Sequence, residues 1–97
     1  MTAVNAMFET LKAIAPERAQ STLSSMVALS KTFGNDHAAF QYLNIELHMQ
    51  LDSLLETVDD LHKGRIQYLL KKIYHSTAPE VYAEALLEHV TFLQRRH

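Results

Sequence analysis

Apolar residues recur at three- and four-residue spacing along almost the whole chain. Val4, Met7, Phe8, Leu11 and Ile14 trace one such stripe and predict an amphipathic first helix. Pro16 ends it, because the residue before a proline is driven out of the helical region. The same proline suits the first turn of a second helix, where its missing N–H costs nothing. Leu23, Met26, Val27, Ser30 and Phe33 mark the expected inner face of that helix. Gly34 offers a left-handed stop, and Asn35 or Asp36 a cap for the next helix. A third helix is expected from about residue 36 to 62. A break or bend is expected near Gly64, since the stripe drifts round the helix between Leu61 and Leu69. Ile66, Leu69, Leu70 and Ile73 continue as a fourth piece. In "TAPE", residues 77–80, Thr77 reads as the N-cap and Glu80 as the N3 partner of a capping box. Val81, Tyr82, Ala85, Leu86, Phe92 and Leu93 are then expected to face inward from a last helix. Arg95 and Arg96 fall at its end, where the helix dipole favours cations.

Short connections between such helices favour antiparallel neighbours. The expected fold is therefore all-α: a small antiparallel bundle of four to five helices, in a single domain over residues 1–97. Apolar residues make up 47% of the chain, which excludes a disordered class. Two glycines and two prolines are too few for the turns of an all-β fold. No apolar run reaches the ~18–20 residues of a membrane span, so no membrane role is expected. The N-terminal stretch lacks the basic and unbroken apolar regions of a secretory signal. With no cysteine present, disulfides and thiolate chemistry are excluded, and a cytoplasmic location is expected.

The third helix is the most informative segment. Phe40, Leu43, Leu51, Leu54, Val58 and Leu61 fall within about 40° of Leu47 on a helical wheel and form a core stripe with it. Ala38, Tyr42, Ile45 and Met49 gather near the opposite pole. A helix apolar on two sides is either central in its own bundle or covered by a partner. Tyr and Met are favoured at interfaces, and two-fold homodimers are the commonest soluble assemblies. Tyr42, Ile45 and Met49 are therefore the expected interface anchors, with a second copy of the chain as the simplest partner.

Net charge is −2, but its distribution is uneven. Residues 36–62 carry Asp36, Glu46, Asp52, Glu56, Asp59 and Asp60 without a lysine or arginine. Residues 63–75 carry Lys63, Arg65, Lys71 and Lys72 without an acid. Such blocks suit antiparallel neighbours, within a chain or between chains. The basic run also raises a second reading, phosphate contacts to nucleic acid from Lys63, Arg65, Lys71 and Lys72. The negative total charge weighs against it. Glu80, Glu84 and Glu88 make an acidic ridge whose ordinary use is solvation.

Three of six histidines, His37, His48 and His62, share one stripe of the expected third helix. At a rise of 1.5 Å per residue they lie ~16 and ~21 Å apart, too far to share an ion with ~2 Å bonds. A metal reading therefore rests on the close pairs His48 with Asp52 and Asp59 with His62. Carboxylate-bridged metal bundles need more ligands than these pairs supply. No serine sits in a nucleophile-elbow turn and no glycine-rich phosphate loop exists. The expectation is a non-enzymatic interaction protein, a small regulator or adaptor, with no cofactor.

Overall fold

A computed structural model describes residues 3–34 and 36–95, and of Asp36 the backbone only. Five helices succeed one another: α1 (Ala3–Ile14), α2 (Pro16–Phe33), α3 (Asp36–Leu55), α4 (Asp60–His75) and α5 (Pro79–Arg95). No strand occurs among the described residues. None of the helices is long and apolar enough to cross a membrane.

The first two junctions arise from their punctuation. Ala15 leaves the helical region (φ −147°, ψ 69°), and Pro16 opens α2 immediately behind it. Gly34 stops α2 in the left-handed conformation (φ 65°), donating its N–H to Ser30 O at 2.7 Å. The expected caps, Asn35 and the side chain of Asp36, lie outside the described residues, as does Arg96.

The third junction differs from the expected one. α3 stops at Leu55, and the chain tightens through Thr57 N–H to Leu54 O (3.0 Å) and Val58 N–H to Leu55 O (3.4 Å). Asp59 then takes an extended conformation and accepts the His62 N–H at 2.9 Å, an N-cap for α4. The break is therefore at residues 56–59 rather than at Gly64, which lies inside α4. The drift of the apolar stripe points a turn too late, because an aspartate at residue 59 looks the same in sequence whether it caps a helix or sits inside one. At the fourth junction, Ser76 Oγ accepts the Ala78 N–H (2.9 Å), and α5 begins at Pro79. Thr77 is thus displaced from the N-cap, and the expected Thr77–Glu80 box does not set the start of α5.

Consecutive helices reverse direction. The C-terminal half of α2 returns to the start of α1, where Leu23, Met26, Val27 and Ser30 line one groove with Val4 and Asn5. Gln94 near the end of α5 donates to Ala13 O near the end of α1 (2.8 Å), so those two helices run the same way. Among the helix pairs, α1 and α5 touch most, followed by α4 with α5 and α2 with α3. α1, α5, α4 and α3 form a ring in that order, and α2 packs across α1 and α3. Small residues, Ala3 and Ala6 on α1 and Ala83 on α5, are buried in these two helices.

One core cluster takes side chains from all five helices. Met7, Leu11, Leu43, Leu47, Leu51, Ile66, Leu69, Leu70, Ile73, Leu86 and Val90 are almost wholly covered. The expected inner face of α2 is rotated: its buried side is Ala19, Thr22 and Met26, while Leu23, Val27 and Phe33 are exposed. On α5 the expected Leu86 and Leu93 are buried with Ala83 and Val90, and Tyr82 and Ala85 pack partly against the core, leaving Val81 and Phe92 outside. On α2 small residues take inward positions that hydrophobicity alone does not reveal. Leu61, expected in the core stripe of a longer third helix, stands exposed in the first turn of α4.

Candidate interaction surface: the groove between α3 and α4

Leu43, Leu47 and Leu51 turn α3 into the core, with Phe40 and Leu54 partly buried beside them. The opposite side is shared unequally. Tyr42 packs partly against the core. One helical turn on, buried Glu46 accepts from Arg18 Nε of α2 (2.8 Å) and from Gln50 Nε2 (3.2 Å). Burying a carboxylate without such partners is costly. Ile45 and Met49 have no such cover and are 59% and 60% exposed. The expected anchor trio is thus divided. Tyr42 belongs largely to the chain's own packing, whereas Ile45 and Met49 present themselves to solvent.

Ile45 and Met49 form one wall of an open groove of about 510 Å³. Asn44, His48 and Asp52 complete the α3 side, and Lys71, Tyr74 and His75 come from α4. α3 and α4 touch less than any other neighbouring pair, which is why the valley between them stays open. Tyr74 is 47% exposed and meets the His75 ring edge-on at 4.9 Å. The groove therefore combines three exposed apolar or aromatic side chains with an acid on one wall and a base on the other. Asp52 and Lys71 are both exposed, and neither joins an ion pair among the described residues. His48 has its pKa lowered, by burial first and against the pull of nearby Asp52. Asn44 is buried, and its Oδ1 has no hydrogen-bond partner.

The histidine stripe does not survive the break after Leu55. His37 is exposed and hydrogen-bonds Gln41 (3.0 Å), His48 lines the groove, and His62 belongs to α4. His62 Nδ1 lies 2.7 Å from Asp59 Oδ1, the same oxygen that caps α4. Its ring stands 5.3 Å from that of His89 and 6.1 Å from Phe92. His89, whose buried Nε2 has no partner, has its pKa lowered by burial and then by His62 and Arg65. The two pairs expected as ligands, His48 with Asp52 and Asp59 with His62, sit on different helices. Among the described residues no three His, Cys, Asp or Glu side chains form a group able to hold a metal ion.

The basic residues are likewise divided. Arg65 and Lys72 flank the exposed Tyr68 ring at 5.7 and 5.4 Å, whereas Lys71 faces the groove and Lys63 is half-buried. They do not make one phosphate-reading face. The acidic ridge of Glu80, Glu84 and Glu88 is solvent-exposed.

Asn44, Tyr74 and His75 were not among the residues expected to form a site. Tyr74 and His75 close the last turn of α4 and read there as an ordinary helix end. Only the antiparallel return of α4 brings them beside Ile45 and Met49. The acidic block followed by the basic block was the sequence signal for that return.

Comparison of the chain with protein-family models, characterised proteins and solved structures gives no match.

Proposed function

We propose that the chain is a non-enzymatic protein–protein interaction module, a small cytoplasmic regulator or adaptor, that works as a homodimer through the α3/α4 groove. The observation that carries this reading is the contrast between the two sides of α3. Leu43, Leu47 and Leu51 are fully covered, while Ile45 and Met49 stand open beside Tyr74. Exposed apolar side chains gathered in a concave, polar-rimmed patch are typical of surfaces that bind other proteins.

Other exposed apolar residues favour a partner surface less. Leu23 and Val27 line a groove with Lys31 as its single charge, and Leu61 and Val81 lie in the first turns of α4 and α5. The α3/α4 groove adds charges of both signs, which give a partner a register as well as an affinity. We assign no catalytic residue.

Sedimentation velocity over a concentration series tests the reading. The expected result is a species of twice the 11.1 kDa chain mass that dissociates on dilution. A monomer throughout, under conditions where the chain is folded, would rule out the homodimer.

A further inference from the structure

We infer that the homodimer is held in register by two symmetric ion pairs, Asp52 of each copy meeting Lys71 of the other across the α3/α4 groove. This inference rests on the homodimer reading and names the pairing that the same surface would use.

A two-fold axis lays a patch upon itself, so that when residue i meets residue j, j also meets i. A patch carrying one sign of charge then repels its own image. A patch carrying an acid and a base away from the axis attracts it twice. The α3/α4 groove is of the second kind, since Asp52 stands on the α3 wall and Lys71 on the α4 wall. Both are exposed, and neither is spent in an ion pair among the described residues. Elsewhere the bundle does use such pairs, Lys12 with Glu9 on α1 and Arg18 with Glu46 between helices.

Asp52 and Lys71 are the carboxylate and the ammonium that line this groove. Ile45, Met49 and Tyr74 lie in the same groove and would be covered on pairing, which lowers the local dielectric around the charges and strengthens them. The molecule measures 40 × 30 × 20 Å, so one face can supply the roughly 800 Å² per partner of a standard interface. His48, Tyr74 and His75 are the remaining titratable groups in the groove. His48, whose pKa is lowered by burial, stands on the same α3 wall as Asp52.

Charge exchange tests this directly. Asp52→Lys alone sets lysine against Lys71 twice, and Lys71→Asp alone sets two acids together. Each single variant is expected to weaken self-association by about 10- to 100-fold at low salt, less as salt screens the charges. The double variant Asp52→Lys/Lys71→Asp restores both pairs with reversed sign and is expected to dimerise again. Mixing the two single variants is expected to give a heterodimer, since one pair is native and the other reversed. Sedimentation of all five samples, with circular dichroism to confirm that each chain is folded, reads out every case. A wild-type dimer whose single variants associate unchanged, or whose double variant fails to recover, overturns the charge pairing and leaves the homodimer standing. A monomeric wild type overturns both.

Discussion

Replacing Ile45 by aspartate separates the two things an apolar residue on α3 can do. Ile45 is 59% exposed in the single chain. Complete burial of an isoleucine contributes about 1.5–3 kcal/mol, so covering the exposed part contributes about 1–2 kcal/mol. A two-fold dimer covers it twice, for a total of about 2–4 kcal/mol. Loss of that amount raises Kd by about 30- to 1,000-fold, and a buried aspartate without a partner adds to the loss. The folded monomer loses little, because the side chain is already open to water and α3 is held by Leu43, Leu47 and Leu51 on its other face. Sedimentation equilibrium measures Kd, and thermal melting followed by circular dichroism measures the monomer. The reasoning is refuted if Ile45→Asp dimerises with wild-type affinity. It is equally refuted if the variant unfolds, since Ile45 would then be part of the monomer's own core.

Three further outcomes are expected. Leu47→Ala, at a fully buried position of the core, should cost about 2–5 kcal/mol and lower Tm by more than about 10 °C, as read by calorimetry. Gly64→Ala should stabilise the chain by about 0.5–1 kcal/mol, because Gly64 lies within α4 and an added Cβ meets nothing within 4 Å; a lower urea midpoint would show that the chain bends there after all. Acidification should destabilise the fold through His89 and His48, whose folded-state pKa values lie below the ordinary 6.5. Between the lowered value and 6.5 the unfolded chain binds more protons, so stability is lost as pH falls through that interval. His89→Leu should flatten the dependence of the urea midpoint on pH, and an unchanged slope would contradict this assignment.

Much of the bundle could be read from residue order. Pro16 marked the first junction because its ring fixes its own φ and drives the preceding residue out of the helix, and Gly34 marked the second because glycine takes the left-handed stop without a steric cost. The core stripe of α3 was legible because leucines at regular spacing leave no other face to bury. The break after Leu55 was not, since Asp59 is an N-cap only if the chain has already left the helix, and a cap and a mid-helix aspartate look alike in sequence. The inner face of α2 was not legible, because Ala19 and Thr22 hold buried positions there while the larger Leu23, Val27 and Phe33 stay exposed; on α5 Leu86 and Leu93 were read correctly, and Val81 and Phe92 were not. For the groove, Ile45 and Met49 were visible as a second apolar pole. Tyr42 was drawn in with them because periodicity cannot tell which flank α2 will cover. Asn44, Tyr74 and His75 join the groove only through tertiary pairing.

The most direct test uses the methionine methyl groups as reporters of cover. Met7 and Met26 are buried in the core, and Met49 is 60% exposed in the groove. With methyl-labelled methionine, a soluble paramagnetic agent broadens signals in proportion to their exposure. At high protein concentration the Met49 methyl should be shielded nearly as well as those of Met7 and Met26, and dilution should expose it while leaving those two unchanged. A Met49 signal that stays fully exposed at every concentration would contradict the claim that this groove is where two copies meet.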